Sequence, residues 1–137
     1  MGSARTILVV EDEPLTGEAI CVALDRKGYR VVSTDDGAEA LRLIADEAPD
    51  LAVVDMLLPG ASGFTVAQAV KDATDGAAPV VMVSANASGA HQDYALACGV
   101  DRFLPKPFAL GKLVDLVAAL CPPPGGSKVI PVAAARA

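Results

Sequence analysis

The side chains in this chain that could do chemistry sit at the ends of short apolar runs. Asp55 closes Leu-Ala-Val-Val-Asp, Glu11 and Asp12 follow Ile-Leu-Val-Val, Ser84 follows Val-Val-Met-Val, and Lys106 follows Phe-Leu-Pro. An ionised carboxylate at the end of so apolar a segment is costly to shield from water unless a cation or donors compensate it. Brought into one cleft, the three acids would repel one another and could not all stay ionised unaided. A hard divalent cation removes that conflict. Mg²⁺ suits a site with one or two direct carboxylates plus waters, and it leaves space for a phosphoryl group. Lys106 adds a point charge and Ser84 a hydroxyl donor. Together they would form an electrostatic clamp for phosphoryl transfer onto Asp55 itself.

Such groups meet only if the apolar runs are neighbouring strands. Runs at 7–10, 29–34, 51–54, 79–83 and 102–104 read as strands, and the unbroken third is the pattern of a strand buried on both faces. Between them lie helical periodicities. The first helix opens at Pro14 with Leu15, Ala19, Val22 and Ala23 on its inner face, and Lys27-Gly28 closes it. The second carries Ala38, Leu41, Ile44 and Ala45 and stops at Pro49; the third carries Phe64, Ala67 and Val70. A fourth covers 88–98 before Gly99, and the last presents Leu110, Leu113, Val114, Val117 and Leu120. Strands alternating with helices demand right-handed crossovers and a parallel sheet covered on both faces, a doubly wound α/β domain. In such sheets functional groups gather beyond the carboxyl ends of the strands. Asp55, Glu11, Asp12, Ser84 and Lys106 all fall there.

Composition narrows the function. With 137 residues there is room for one domain. Hydrophobic content is 53%, but in blocks far shorter than the roughly 20 residues a membrane span needs. The first residues lack a secretion signal, so a cytoplasmic protein is expected. A net charge of -6 argues against gripping a phosphate backbone, and 4% aromatics against base stacking. Cys21, Cys98 and Cys121 lack metal-ligand spacing and read as reduced thiols, two of them small core residues. His91 has no ligand partners in the sequence and reads as a solvated helix residue.

Val-Val-Glu-Asp-Glu-Pro, Asp55 with Pro59 and Gly63 behind it, Ser84-Ala85, and Phe103-Leu104-Pro105-Lys106-Pro107 occur in that order. On these motifs the chain from about Arg5 to Leu120 resembles the receiver domain of two-component response regulators, the family of the chemotaxis response regulator. The resemblance implies a flavodoxin-like five-stranded sheet in the order 2-1-3-4-5 with five helices. It implies that Asp55 accepts a phosphoryl group from a histidine kinase or phosphotransfer protein. Asp12 would be the direct carboxylate ligand of Mg²⁺ beside Asp55, with Glu11 helping through water and the Leu57 backbone carbonyl completing the protein ligands. Lys106, joined to Pro107 by a cis bond, would contact the phosphoryl oxygens. Ser84 would be the switch hydroxyl and Phe103 the coupled aromatic. The protein would be a switch that assists its own phosphorylation and dephosphorylation, not an enzyme with a separate substrate.

Such a switch would signal through the face made by the fourth helix, fifth strand and fifth helix. Ala90, His91, Tyr94 and Lys112 lie there, facing a downstream protein or a second copy in a homodimer, without membrane or direct nucleic-acid contact. Two departures from the family pattern stand out: the first acidic position is Glu11, and the aromatic is Phe103, which has no phenol hydroxyl. Competing readings are weaker. An aspartyl-phosphate hydrolase would resemble a pattern with a second Asp where Leu57 stands. A flavin domain needs a Ser/Thr/Gly-rich phosphate loop that 12–16 lacks. A receiver used purely for dimerisation would not need Asp12, Asp55, Ser84 and Lys106 together. Residues 1–120 are expected to form the receiver and 121–137, rich in Pro and Gly, a tail or linker, with no output domain following. An alternative for the tail is docking of residues 129–132 on a sheet edge or neighbouring subunit.

Overall fold

The computed structural model describes residues 4–86 and 88–123. Five β-strands and five α-helices alternate: β1 (Thr6–Val10), α1 (Pro14–Arg26), β2 (Arg30–Thr34), α2 (Gly37–Glu47), β3 (Leu51–Asp55), α3 (Gly63–Ala73), β4 (Val80–Ser84), α4 (Gly89–Ala97), β5 (Arg102–Pro105) and α5 (Leu110–Leu120). All pairings are parallel, in the order β2-β1-β3-β4-β5, the doubly wound sheet expected. Every residue of β3 and β4 is buried, as continuous apolar runs in a parallel sheet must be. Among the described residues no helix is long and apolar enough to cross a membrane.

Alternation along the strands divides the core into two layers. Leu8, Val10, Ala52, Val54, Val80 and Met82 face α2, α3 and α4. Ile7, Val9, Leu51, Val53, Val81 and Val83 face α1 and α5, where Ile20, Leu24, Leu113 and Val117 complete the packing. Each large side chain withdrawn from water there contributes about 1.5–3 kcal/mol.

Helix starts and stops follow local chemistry. Asp36, Ser62 and Ser88 cap α2, α3 and α4 by accepting backbone N–H bonds, while Pro14 starts α1. The helix faces required correction. In α1 the residues turned inward are Ile20 and Leu24, whereas Leu15 is 82% exposed and Val22 44%. Apolar residues lie on two sides of this helix, so period alone does not choose between them; the branched Ile20 and Leu24 fill the sheet layer better. In α2, Gly37, Ala40 and Ile44 are buried and Ala38 and Ala45 are exposed. Leu110 at the start of α5 is 37% exposed. Of the thiols only Cys121 is buried, and Cys21 and Cys98 are half-buried. His91 is half-buried as well, its Nδ1 bonded to the Ser88 hydroxyl. The expectations for the tail from 124 onward, docking of 129–132 included, lie outside the described residues.

Candidate functional site

The loops at the carboxyl ends of the strands are stitched one residue further than the ladder itself. Glu11 N–H donates to the Thr34 carbonyl at 3.1 Å, Met56 N–H to Val83 at 3.0 Å, and Lys106 N–H to Ser84 at 2.8 Å. The backbones flanking Glu11, Asp55 and Lys106 are thereby fixed by the sheet. Beneath Asp55 the start of α3 comes close: a Cβ on Gly63 would fall inside contact distance of the Asp55 carbonyl oxygen, and Gly63 N–H donates to Met56 O at 2.9 Å. Gly63 thus serves a close approach. The backbone reversal of this loop is at Gly60, with φ 86°, packed on the Asp36 cap.

The rim gathers Glu11, Asp12 and Asp55, whose carboxylate oxygens lie within 4.8 Å of one another. Glu11 and Asp55 are buried and Asp12 is exposed. At that separation and an effective dielectric of about 20, two like charges repel by about 3.5 kcal/mol. Lys106 offsets part of this. Its Nζ donates to Glu11 Oε2 at 3.0 Å, Glu13 Oε1 at 3.0 Å and Asp55 Oδ2 at 3.1 Å. The Lys106–Pro107 peptide bond is cis, as the resemblance implied. Leu57, 66% exposed, donates its N–H to Asp55 Oδ1 at 3.3 Å.

Titration follows this crowding. Burial, first, and then the Glu11 carboxylate push the Asp55 carboxyl above its usual range, while Lys106 pulls part of the way back. Asp12 is raised by partial burial and then by Asp55. Burial alone would lower Lys106, but its bonds to Glu11, Glu13 and Asp55 outweigh it and hold the ammonium charged beyond the ordinary lysine range. The hydrogen bond and charge of Lys106 lower Glu13. Glu11 Oε1 is buried with no hydrogen-bond partner among the described residues. Such an oxygen costs about 1–3 kcal/mol to leave unmatched. An orphaned carboxylate oxygen inside a trio of acids is the donor set a hard cation takes, so the residues present fit a divalent metal.

Ser84 and Phe103 lie on the other face of the sheet from Asp55. The Ser84 hydroxyl, 1% exposed, accepts from Asn86 N–H at 2.9 Å, so it closes its own turn. Strand alternation puts Ser84 on the Met82 side of the sheet, where Phe103, paired in register with Met82, is packed against the same core layer. Asp55 falls on the Val53 side, facing α1 and α5. Sequence reasoning missed Glu13 as a partner of Lys106. The signal was present in the third acid of the run Glu11-Asp12-Glu13, but a run of acids before a helix reads equally well as solvated charge.

A family model described as the response regulator receiver domain matches residues 7–118. The response regulator MprA of Mycobacterium sp. (strain KMS) is 37% identical over 114 residues, 83% of this chain and 49% of that protein. The chain thus spans about half the length of the curated relatives it matches. The receiver domain of the Francisella response regulator 1452 has a similar structure, with a TM-score of 0.77 and 28% identity over 85% of this chain and 95% of that one. The receiver domain of the sensor histidine kinase PA1611 from Pseudomonas aeruginosa PAO1, solved with a magnesium ion in its active site cleft, gives a TM-score of 0.75. Its identity is 27%, over 86% of this chain and 98% of that one.

Proposed function

Because the chain belongs to the response regulator receiver domain family of two-component signalling, we propose that Asp55 is its phosphoacceptor, charged by a histidine kinase or phosphotransfer protein and read out through protein contacts. The observation that carries this reading is the ion pair of buried Asp55 with Lys106 at 3.1 Å beside two further carboxylates. An Asp55 carboxylate oxygen forms the new bond to phosphorus as the donor's phosphorus–nitrogen bond breaks. Lys106, already within hydrogen-bond distance of Asp55, pairs with the phosphoryl oxygens. The Ser84 hydroxyl leaves Asn86 N–H for the same oxygens, and Phe103, in the same layer, follows the space this opens. Glu11, Asp12, Asp55 and the Leu57 carbonyl would hold Mg²⁺. Bound there, the cation neutralises charge on the carboxylates and on the phosphoryl oxygens. The orphaned Glu11 oxygen and the magnesium in the related cleft support that choice of metal.

A phosphoryl group adds about two negative charges and strong acceptors. It shifts the population only through contacts that differ between the states, and Ser84 and Lys106 supply them. The surface we assign to a downstream partner, or to a second copy, is the α4–β5–α5 face, where Tyr94 is 57% exposed and Ala90 and Lys112 are exposed. Residues 1–120 form the receiver unit in this reading, acting in the cytoplasm, with 121–137 as tail or linker. Incubation with acetyl phosphate and Mg²⁺, followed by intact mass, tests the reading. The expected result is a gain of one phosphoryl group, absent in Asp55→Asn. No gain at saturating donor and metal overturns it.

A further inference from the structure

Glu13 is the N-cap residue of α1, yet its side chain makes no capping bond to that helix. Its Oε1 accepts instead from Lys106 Nζ at 3.0 Å and from the Thr16 hydroxyl at 3.4 Å. Its carboxylate thus reaches across the rim to a residue 93 positions away rather than bonding within its own helix. Glu13 also lies outside the trio of carboxylates that could hold a cation, and its side chain is 61% exposed. The other two acceptors of Lys106, Glu11 Oε2 and Asp55 Oδ2, belong to that trio.

Lysine and a divalent cation therefore draw on the same two carboxylates, and they repel each other. We propose that Glu13 is a positioning residue that keeps Lys106 at the rim while the Glu11 and Asp55 carboxylates are given over to a divalent cation. This rests on the reading of the site as a metal-dependent phosphoacceptor and adds a regulatory role within it: Glu13 sets how strongly lysine and metal compete. The length of its side chain matters as much as its charge, because the contact must span from the start of α1 to Lys106.

The test is magnesium binding by calorimetry in the full chain, without phosphodonor, for the wild type, Glu13→Gln, Glu13→Asp, Lys106→Met and the Glu13→Gln/Lys106→Met double variant. Glu13→Gln should weaken binding about three- to tenfold with Lys106 present and less than about twofold in the Lys106→Met background. Glu13→Asp, which keeps the charge and shortens the reach, should behave like Glu13→Gln. Lys106→Met alone should tighten binding. Equal factors in both backgrounds, or a Glu13→Asp chain indistinguishable from wild type, would reduce Glu13 to a through-space charge and overturn the inference alone. Absence of magnesium binding in every chain would overturn it together with the metal reading on which it rests.

Discussion

The two rims of the sheet are opposites. At the amino ends of the strands the acids Asp50 and Asp101 have found partners. Asp50 Oδ2 accepts from Thr6 N–H at 2.8 Å, and Asp101 Oδ2 accepts from Val80 N–H at 2.8 Å and pairs with Lys71 Nζ at 2.7 Å. Lys71 also donates to the Ala78 carbonyl at 2.9 Å, and the buried Tyr29 hydroxyl donates to Cys121 O at 2.5 Å, tying the end of α5 to the entry of β2. At the carboxyl ends acids outnumber cations, Asp55 and Asp12 are pushed up in pKa, and a buried Glu11 oxygen has no partner among the described residues. One rim spends its polar groups on holding the fold together. The other keeps them in tension, which a bound cation would relieve.

Substitutions should therefore separate along the strand axis. Asp55→Asn is expected to abolish phosphorylation by acetyl phosphate, read as intact mass, while its urea midpoint stays level or rises because one of the mutually repelling acids is gone. A marked loss of stability there would erase the contrast between the rims. Asp101→Ala should do the reverse. It strands the Val80 N–H and half of the Lys71 ammonium, and so should cost about 2–3 kcal/mol in denaturant unfolding while leaving phosphorylation intact.

Magnesium sharpens the comparison. At about a hundred times its dissociation constant it should stabilise the wild type by about 2.7 kcal/mol. The increment should persist in Asp101→Ala and shrink in Asp12→Asn, measured by thermal melts. The smallest effect concerns Tyr29, whose hydroxyl is pushed, by burial and then by Cys121, from 10.0 up to about 12. The fold favours the neutral phenol, so this contribution is complete below pH 10 and is lost as pH rises through about 12. Tyr29→Phe should cost about 1 kcal/mol at neutral pH and flatten the alkaline decline in stability.

The open rim was the more legible of the two. An acid or lysine at the end of an apolar run is conspicuous, and Glu11, Asp12, Asp55 and Lys106 were all visible this way, as was the alternation that dictates the parallel sheet. The closed rim was nearly invisible, because Lys71 meets Asp101 across 30 residues and Tyr29 meets the Cys121 carbonyl across 92, with no periodicity to announce either. The same limit explains α1. Leu15, Ala19 and Val22 repeat at helical spacing, yet the layer that Ile20 and Leu24 fill is decided by strands elsewhere in the chain. Gly63 was visible in the sequence only as a residue of the motif behind Asp55, while its closeness to the Asp55 carbonyl appears only when α3 is seen beneath β3.

Asp55 faces the layer of α1 and α5, whereas Ser84 and Phe103 belong to the layer of α2, α3 and α4. In the reading proposed above, a phosphoryl group added on one side of this partition would be sensed on the other, across a single sheet. Substitutions around Asp55 and around Ser84 would therefore disturb different core layers.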